Sequence, residues 1–136
     1  MLQLDALAMG GLLLLTALVA WQRIWFWNGL AHLDVAAFYL PWYAFMGGHL
    51  RALDIPAWNP RQFGGAPFVG DPQSGWMYLP AMLFFTFLKP VPAYQLFLAF
   101  HLLLAGVSAF IFARMLGMRT VGALAAALAY EFGPLA

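Results

Sequence analysis

Asp34, Asp71, His49, Arg51 and Arg61 are gathered in one polar stretch, residues 28–75. That stretch holds five of the eleven charged residues of the chain, two of three histidines, five of nine prolines and seven of thirteen glycines. A carboxylate such as Asp34 can accept the proton of a hydroxyl nucleophile. It can also hold a divalent cation that neutralises a leaving phosphate. A second carboxylate, Asp71, could share that cation or orient the acceptor. His49, Arg51 and Arg61 carry groups suited to a phosphate, the arginines through bidentate hydrogen bonds. Trp58 offers a flat aromatic face to a sugar ring.

Each residue also has a purely structural reading. Asp34 can serve as the helix N-cap for 35–45. Asp71, in Gly70-Asp71-Pro72, can bond its own backbone in a turn. Asp54, before Ile55-Pro56, reads as a solvated turn residue. The two arginines and His49 can be solvated loop groups or contacts to lipid head groups. Most of the loop aromatics read as anchors at a bilayer surface. Gly64 and Gly65 suit a tight turn, and no phosphate-loop motif is present.

The elements that must position these residues are membrane helices. The chain is 65% hydrophobic and 8% charged, against about a quarter charged in soluble domains. Six basic and five acidic groups give no electrostatic case for a nucleic-acid partner. With no cysteine there is neither a disulfide nor a thiolate metal site. The N-terminus has no basic residue before its apolar run, so a retained helix is expected rather than a signal peptide. Residues 6–27 read as a first transmembrane helix, ending in Trp21, Trp25 and Trp27 as an interfacial belt, with Arg23 snorkelling to the same interface. Residues 28–90 form an external loop, with a short interfacial helix at 78–88. Residues 91–113 are the second span, with Ala105, Gly106, Ala109 and Ala113 as a packing face. A basic cytoplasmic turn, 114–119, leads to the start of a third helix at 120–136. Glu131 lies about 16 Å along that helix at 1.5 Å per residue, where an ionisable group in lipid is costly and functional by default. His101 in the second span reads as a packing or hydrogen-bonding residue. The run that starts at Thr120 is short, so the chain is expected to be the N-terminal piece of a longer protein whose remaining helices complete the bundle.

Asp34, Tyr39-Leu40-Pro41, Ile55-Pro56-Ala57-Trp58-Asn59-Pro60 and Gly64-Gly65-Ala66-Pro67-Phe68 resemble the first external loop of the YfhO-like membrane proteins. Tyr78-Leu79-Pro80, Ala113-Arg114-Met115-Leu116-Gly117 and 123–130 continue the likeness, which runs from about Asp34 to Tyr130. That family is similar to the GT-C class of integral-membrane glycosyltransferases. The resemblance implies an all-α polytopic bundle in the bacterial inner membrane. It also implies inverting transfer of a sugar from a polyprenyl-phosphate carrier to an envelope acceptor on the external face. On this reading Asp34 is the base or the ligand of a divalent cation, and Asp71 assists. Arg51, Arg61, His49, Trp58 and Glu131 would bind substrate. A fragment of this length is expected to be inactive alone. The rival reading is a non-catalytic envelope protein whose loop binds lipid or a partner protein. A transporter, with His101 and Glu131 facing one aqueous cavity, is the third.

Overall fold

The computed structural model describes residues 2–22 and 33–133. Arg23, Trp25, Trp27 and His32 lie outside the described residues, as does the end of the third helix at 134–136. The fold is all-α apart from one very short ladder. Its helices are α1 (Leu2–Val19), α2 (Leu40–Arg51), α3 (Leu79–Phe87), α4 (Pro90–Met115) and α5 (Thr120–Phe132). Two-residue strands β1 (Trp58–Asn59) and β2 (Ala66–Pro67) pair antiparallel, with Trp58 opposite Pro67 and Asn59 opposite Ala66. The first helix begins ahead of the expected 6–27 span, and α4 extends past both ends of the expected 91–113. The chain divides into two compact units, residues 28–97 and residues 1–27 with 98–136.

Among the described residues two helices are long and apolar enough to cross a membrane, Gln3–Gln22 and Pro90–Met115. In their most apolar stretches only 22% and 17% of residues are buried by the rest of the protein. A core helix of a soluble domain would have this surface covered. An apolar helix with its surface uncovered belongs in lipid or against other helices. Leu4, Leu7, Leu14 and Leu18 of α1, and Ile111 and Phe112 of α4, are such exposed side chains.

In the unit that contains α1 and α5, the buried positions follow one arithmetic. On α1 the inward residues are Asp5, Ala8, Leu12 and Thr16; on α5 they are Thr120, Ala123, Ala127 and Glu131. Both sets step by three, four and four residues, which keeps one face of a 3.6-residue helix in line. Phe110 and Ala113 of α4 close the same cluster. At one end the carboxylate of Asp5 accepts from Arg114 Nη2 at 2.9 Å and from Thr120 Oγ1 at 2.7 Å. At the other, Thr16 meets Glu131. The small residues between the two polar rungs let the helices approach closely.

The 28–97 unit is built on aromatic packing. Trp42, Tyr43 and Met46 of α2, Phe68 directly after β2, Ala81 and Phe85 of α3, and Ala93 of α4 form its buried centre. Tyr43 stacks on Phe85, with ring centroids 4.4 Å apart and planes 13° from parallel. A π-helical turn, Val35–Tyr39, precedes α2, and Leu40 N donates to Val35 O. Pro41 accounts for it: proline has no N–H to return to residue 37 and its ring crowds that carbonyl, so the preceding turn widens. Helices α2 and α3 then cross in contact at Gly47, where an added methyl would run into Phe85 O. Arg51, one turn on, donates Nη1 to Phe85 O at 3.1 Å and Thr86 O at 3.0 Å, satisfying carbonyls at the end of α3.

Adjacent glycines of α2 give an internal control for this crossing, because Gly48 has nothing within 4 Å of an added methyl. Gly47→Ala is expected to destabilise the protein by about 1–3 kcal/mol through overpacking. Gly48→Ala is expected to stabilise it by roughly 0.5–1 kcal/mol through helix propensity. Thermal unfolding of the two variants in detergent reads the difference; equal effects would contradict the close crossing.

Candidate functional site

Two adjoining grooves open on the 28–97 unit. The first, of about 250 Å³, is lined by Phe38, Pro41, Trp42, Phe45, Asn59, Arg61 and Gln62, among others. The second, of about 560 Å³, includes Phe45, His49, Asp54, Trp58, Pro60 and Arg61 in its wall. Arg61 and Phe45 belong to both. One wall is the face of α2; the other is the turn after β1.

Both walls are held by local backbone chemistry. Buried Asn59 accepts from Arg61 N through its Oδ1 at 3.0 Å, which sets the turn that carries Arg61. The ladder holds Trp58 over Gly65, whose φ of +122° and missing side chain allow the indole to lie against the backbone. Trp58 is nonetheless 58% exposed, so part of its ring stays open to a ligand. Trp42 is buried at the floor of the first groove, and its Nε1 is a donor without a partner among the described residues.

His49 lies in the last turn of α2. That helix ends with Leu53 N donating to Leu50 O at 3.0 Å and Asp54 N to His49 O at 2.9 Å. Such a terminus puts one residue in the left-handed region, normally glycine; here it is Leu53, with φ of +55°. The chain reversal brings Asp54 back beside His49, and Asp54 Oδ2 lies 2.8 Å from His49 Nδ1. That hydrogen bond holds the Asp54 carboxyl below the ordinary aspartate range, with burial opposing and a bond from Ile55 N assisting. A carboxylate on Nδ1 orients the imidazole and leaves Nε2 to exchange protons, the arrangement of a general acid–base pair. The groove thus combines a cation, an aromatic face and a hydrogen-bonded His–Asp pair.

The residues expected from sequence divide accordingly. His49, Arg61 and Trp58 line one groove together. Asp34 and Asp71 line neither. Asp34 is exposed, has helical angles of φ −63° and ψ −37°, and makes no capping hydrogen bond; it is not used as the N-cap. The carboxylate of Asp71 accepts from Gln73 N at 2.8 Å, and its own N–H and C=O bond to Phe68 O and Ser74 N. Asp71 therefore holds a turn. Arg51 is engaged on the end of α3. Among the described residues no three His, Asp or Glu side chains come together to hold a metal.

Glu131 is apart from these, in the unit of α1, α4 and α5. It is 2% exposed and meets Thr16, while Gly106 leaves room for its carboxyl. His101 packs edge-on to Phe100. Thr16 was not distinguished by sequence, Gly106 was read only as part of a packing face, and Asp54 only as a solvated turn residue. Asp54 was hidden by its turn-like neighbours, although a carboxylate five residues after a histidine at a helix end is a usable signal. Thr16 sits in an uncharged run, where only its match to the spacing of α5 marks it.

Compared with family models, curated proteins and solved structures, the chain finds no match.

The dyad predicts a titration. A depressed carboxylate contributes stability that is present above its unfolded pKa and lost as pH falls through the folded one. Asp54 is therefore expected to titrate below ordinary aspartate in the native chain, and to return to the ordinary value in His49→Ala. Carbon-detected NMR of labelled aspartate reads both; an unmoved Asp54 would dissolve the dyad. Leu53 is 97% exposed and loses no packing on truncation. Leu53→Gly is accordingly expected to stabilise the protein by roughly 0.5–1 kcal/mol, relieving the left-handed strain less the added freedom of the unfolded chain. Chemical denaturation of the purified chain measures it.

Proposed function

We propose that this chain is the N-terminal, substrate-handling part of a GT-C-type membrane glycosyltransferase, with the loop of residues 28–90 on the external face of a bacterial inner membrane. The observation that carries the reading is the groove in which Arg61, Trp58 and the His49–Asp54 pair meet. Its parts match a sugar attached to a polyprenyl phosphate. The guanidinium of Arg61 can bind the phosphate through two N–H groups, and Trp58 can cover a sugar face. An acceptor hydroxyl attacks the anomeric carbon from the side opposite the phosphate. The C–O bond to phosphate breaks, the electron pair leaves on the phosphate oxygen, and the configuration inverts. The proton of the hydroxyl passes to His49 Nε2, and Asp54 stabilises the imidazolium that forms. Asp34, exposed and uncommitted to a cap, is the alternative base. Remaining helices of a longer parent chain would enclose the lipid-linked donor.

A second reading has its own observation. Leu53, Phe63 and Met77 are large, apolar and strongly exposed, and all three adopt positive φ. Strain of this kind persists at functional positions, and exposed apolar tips suit a loop that docks on lipid or a partner without catalysis.

The test uses the full-length parent gene. It is deleted and restored as wild type, His49→Ala, Arg61→Ala or Asp34→Asn at matched membrane abundance, and the envelope glycans are compared. Loss of a base is expected to slow transfer by about 10²–10⁴-fold, so His49→Ala should leave the sugar missing, as should Arg61→Ala. A sugar lost with Asp34→Asn but kept with His49→Ala would make Asp34 the base. An envelope unchanged by deletion would sink the transferase and leave the docking protein.

A further inference from the structure

We propose that Glu131, Thr16 and Gly106 form a proton-binding site inside the helix unit, in which Glu131 is kept as the carboxylic acid. This goes beyond the groove and does not depend on it.

The first argument is a count of protons. Thr16 Oγ1 lies 2.8 Å from Leu12 O and 2.5 Å from Glu131 Oε1. A threonine hydroxyl has one proton and cannot donate fully to both. If Glu131 were ionised, the two contacts would have to divide one Thr16 proton between them in a weaker three-centre bond. If Glu131 carries the proton on Oε1, it donates to Thr16 Oγ1 and Thr16 donates to Leu12 O. Only the acid gives each contact a proton of its own.

The second argument is the seat of the other oxygen. Glu131 Oε2 is buried without a hydrogen-bond partner. It rests against Gly106, where any added methyl would overlap it, beside Leu12 Cδ2. A neutral carbonyl oxygen can stay unpaired there at a cost of about 1–3 kcal/mol; an ionised carboxylate with a single hydrogen bond costs far more. The same close packing argues against a metal cation, which would need several further oxygens around it.

The charged groups on the packed elements are distant or turned aside. Asp5 of α1 and Arg114 of α4 sit at the other polar rung with Thr120, about 16 Å along the helices from Glu131. His101 precedes Gly106 by five residues, which turns it to a different side of α4. The same 16 Å places the site near the middle of a hydrocarbon layer about 30 Å thick if the Asp5–Arg114 rung lies at its edge.

Glu131 is the single glutamate of the chain, so side-chain ¹³C-labelled glutamate introduced by cell-free synthesis marks this carboxyl alone. The full chain is placed in lipid bilayers, and infrared difference spectra against unlabelled protein are recorded without alkali-metal ions and with sodium added. The expected result is one isotope-shifted C=O band of a protonated acid at neutral pH, absent in Glu131→Gln and indifferent to sodium. Unfolding of the wild type and of Glu131→Gln should also stay parallel from about pH 5 to about pH 8, because the amide donates to Thr16 as the acid does. A carboxylate band at neutral pH would overturn the proposal, as would conversion of the acid band to carboxylate by sodium. The wild-type spectrum decides even if the variant does not fold.

Discussion

A polar side chain enclosed by apolar helices must find its hydrogen-bond partner within the protein, because no water replaces it. That demand governs the unit of α1, α4 and α5. Asp5 satisfies it at one end with Arg114 and Thr120, and at the other Thr16 meets it for one oxygen of Glu131. Apolar contacts in lipid do not specify register, since lipid tails are as apolar as leucine. The two rungs supply it. They stand the same eleven residues apart on α1 and α5, about three helical turns, so neither helix can slide or rotate without breaking both.

In the 28–97 unit, satisfaction of the backbone at helix ends has the corresponding role. The exposed carbonyls at the end of α3 draw in Arg51, and the end of α2 reverses through Leu53. The same termini create the groove: without the reversal Asp54 would not lie against His49, and without the Asn59 turn Arg61 would not face α2. The chemistry-bearing residues are thus by-products of how two short helices are closed. That origin explains why the groove lies on a surface of helix ends and turns rather than within a helix bundle.

Much of the element order was readable from composition. Long uncharged runs, Pro90-Val91-Pro92 at the start of α4 and the basic turn before α5 correspond to elements in the structure. The site was less readable. Asp34 and Asp71 drew attention because isolated loop carboxylates look functional, yet a carboxylate beside a glycine and before a proline equally serves a turn, as Asp71 does. Asp54 was discounted on turn composition, and the chain reversal gave it a partner. Arg51 and Arg61 look alike in sequence. One closes a helix end and the other lines two grooves, a distinction that depends on which element packs opposite.

By itself the sequence determined that the chain is helical, that it holds apolar segments able to cross a membrane, and that its polar groups are concentrated between the first two of them. These follow from hydropathy and from punctuation by proline and glycine, which act locally along the chain. Only the tertiary structure decided which of those polar groups meet. His49 found Asp54 through a left-handed leucine, Arg61 came to share a wall with Trp58, and Glu131 came to rest on Gly106 against a threonine 115 residues away in the chain. Partnership across such distances depends on helix register and close approach, which arise only when the elements pack.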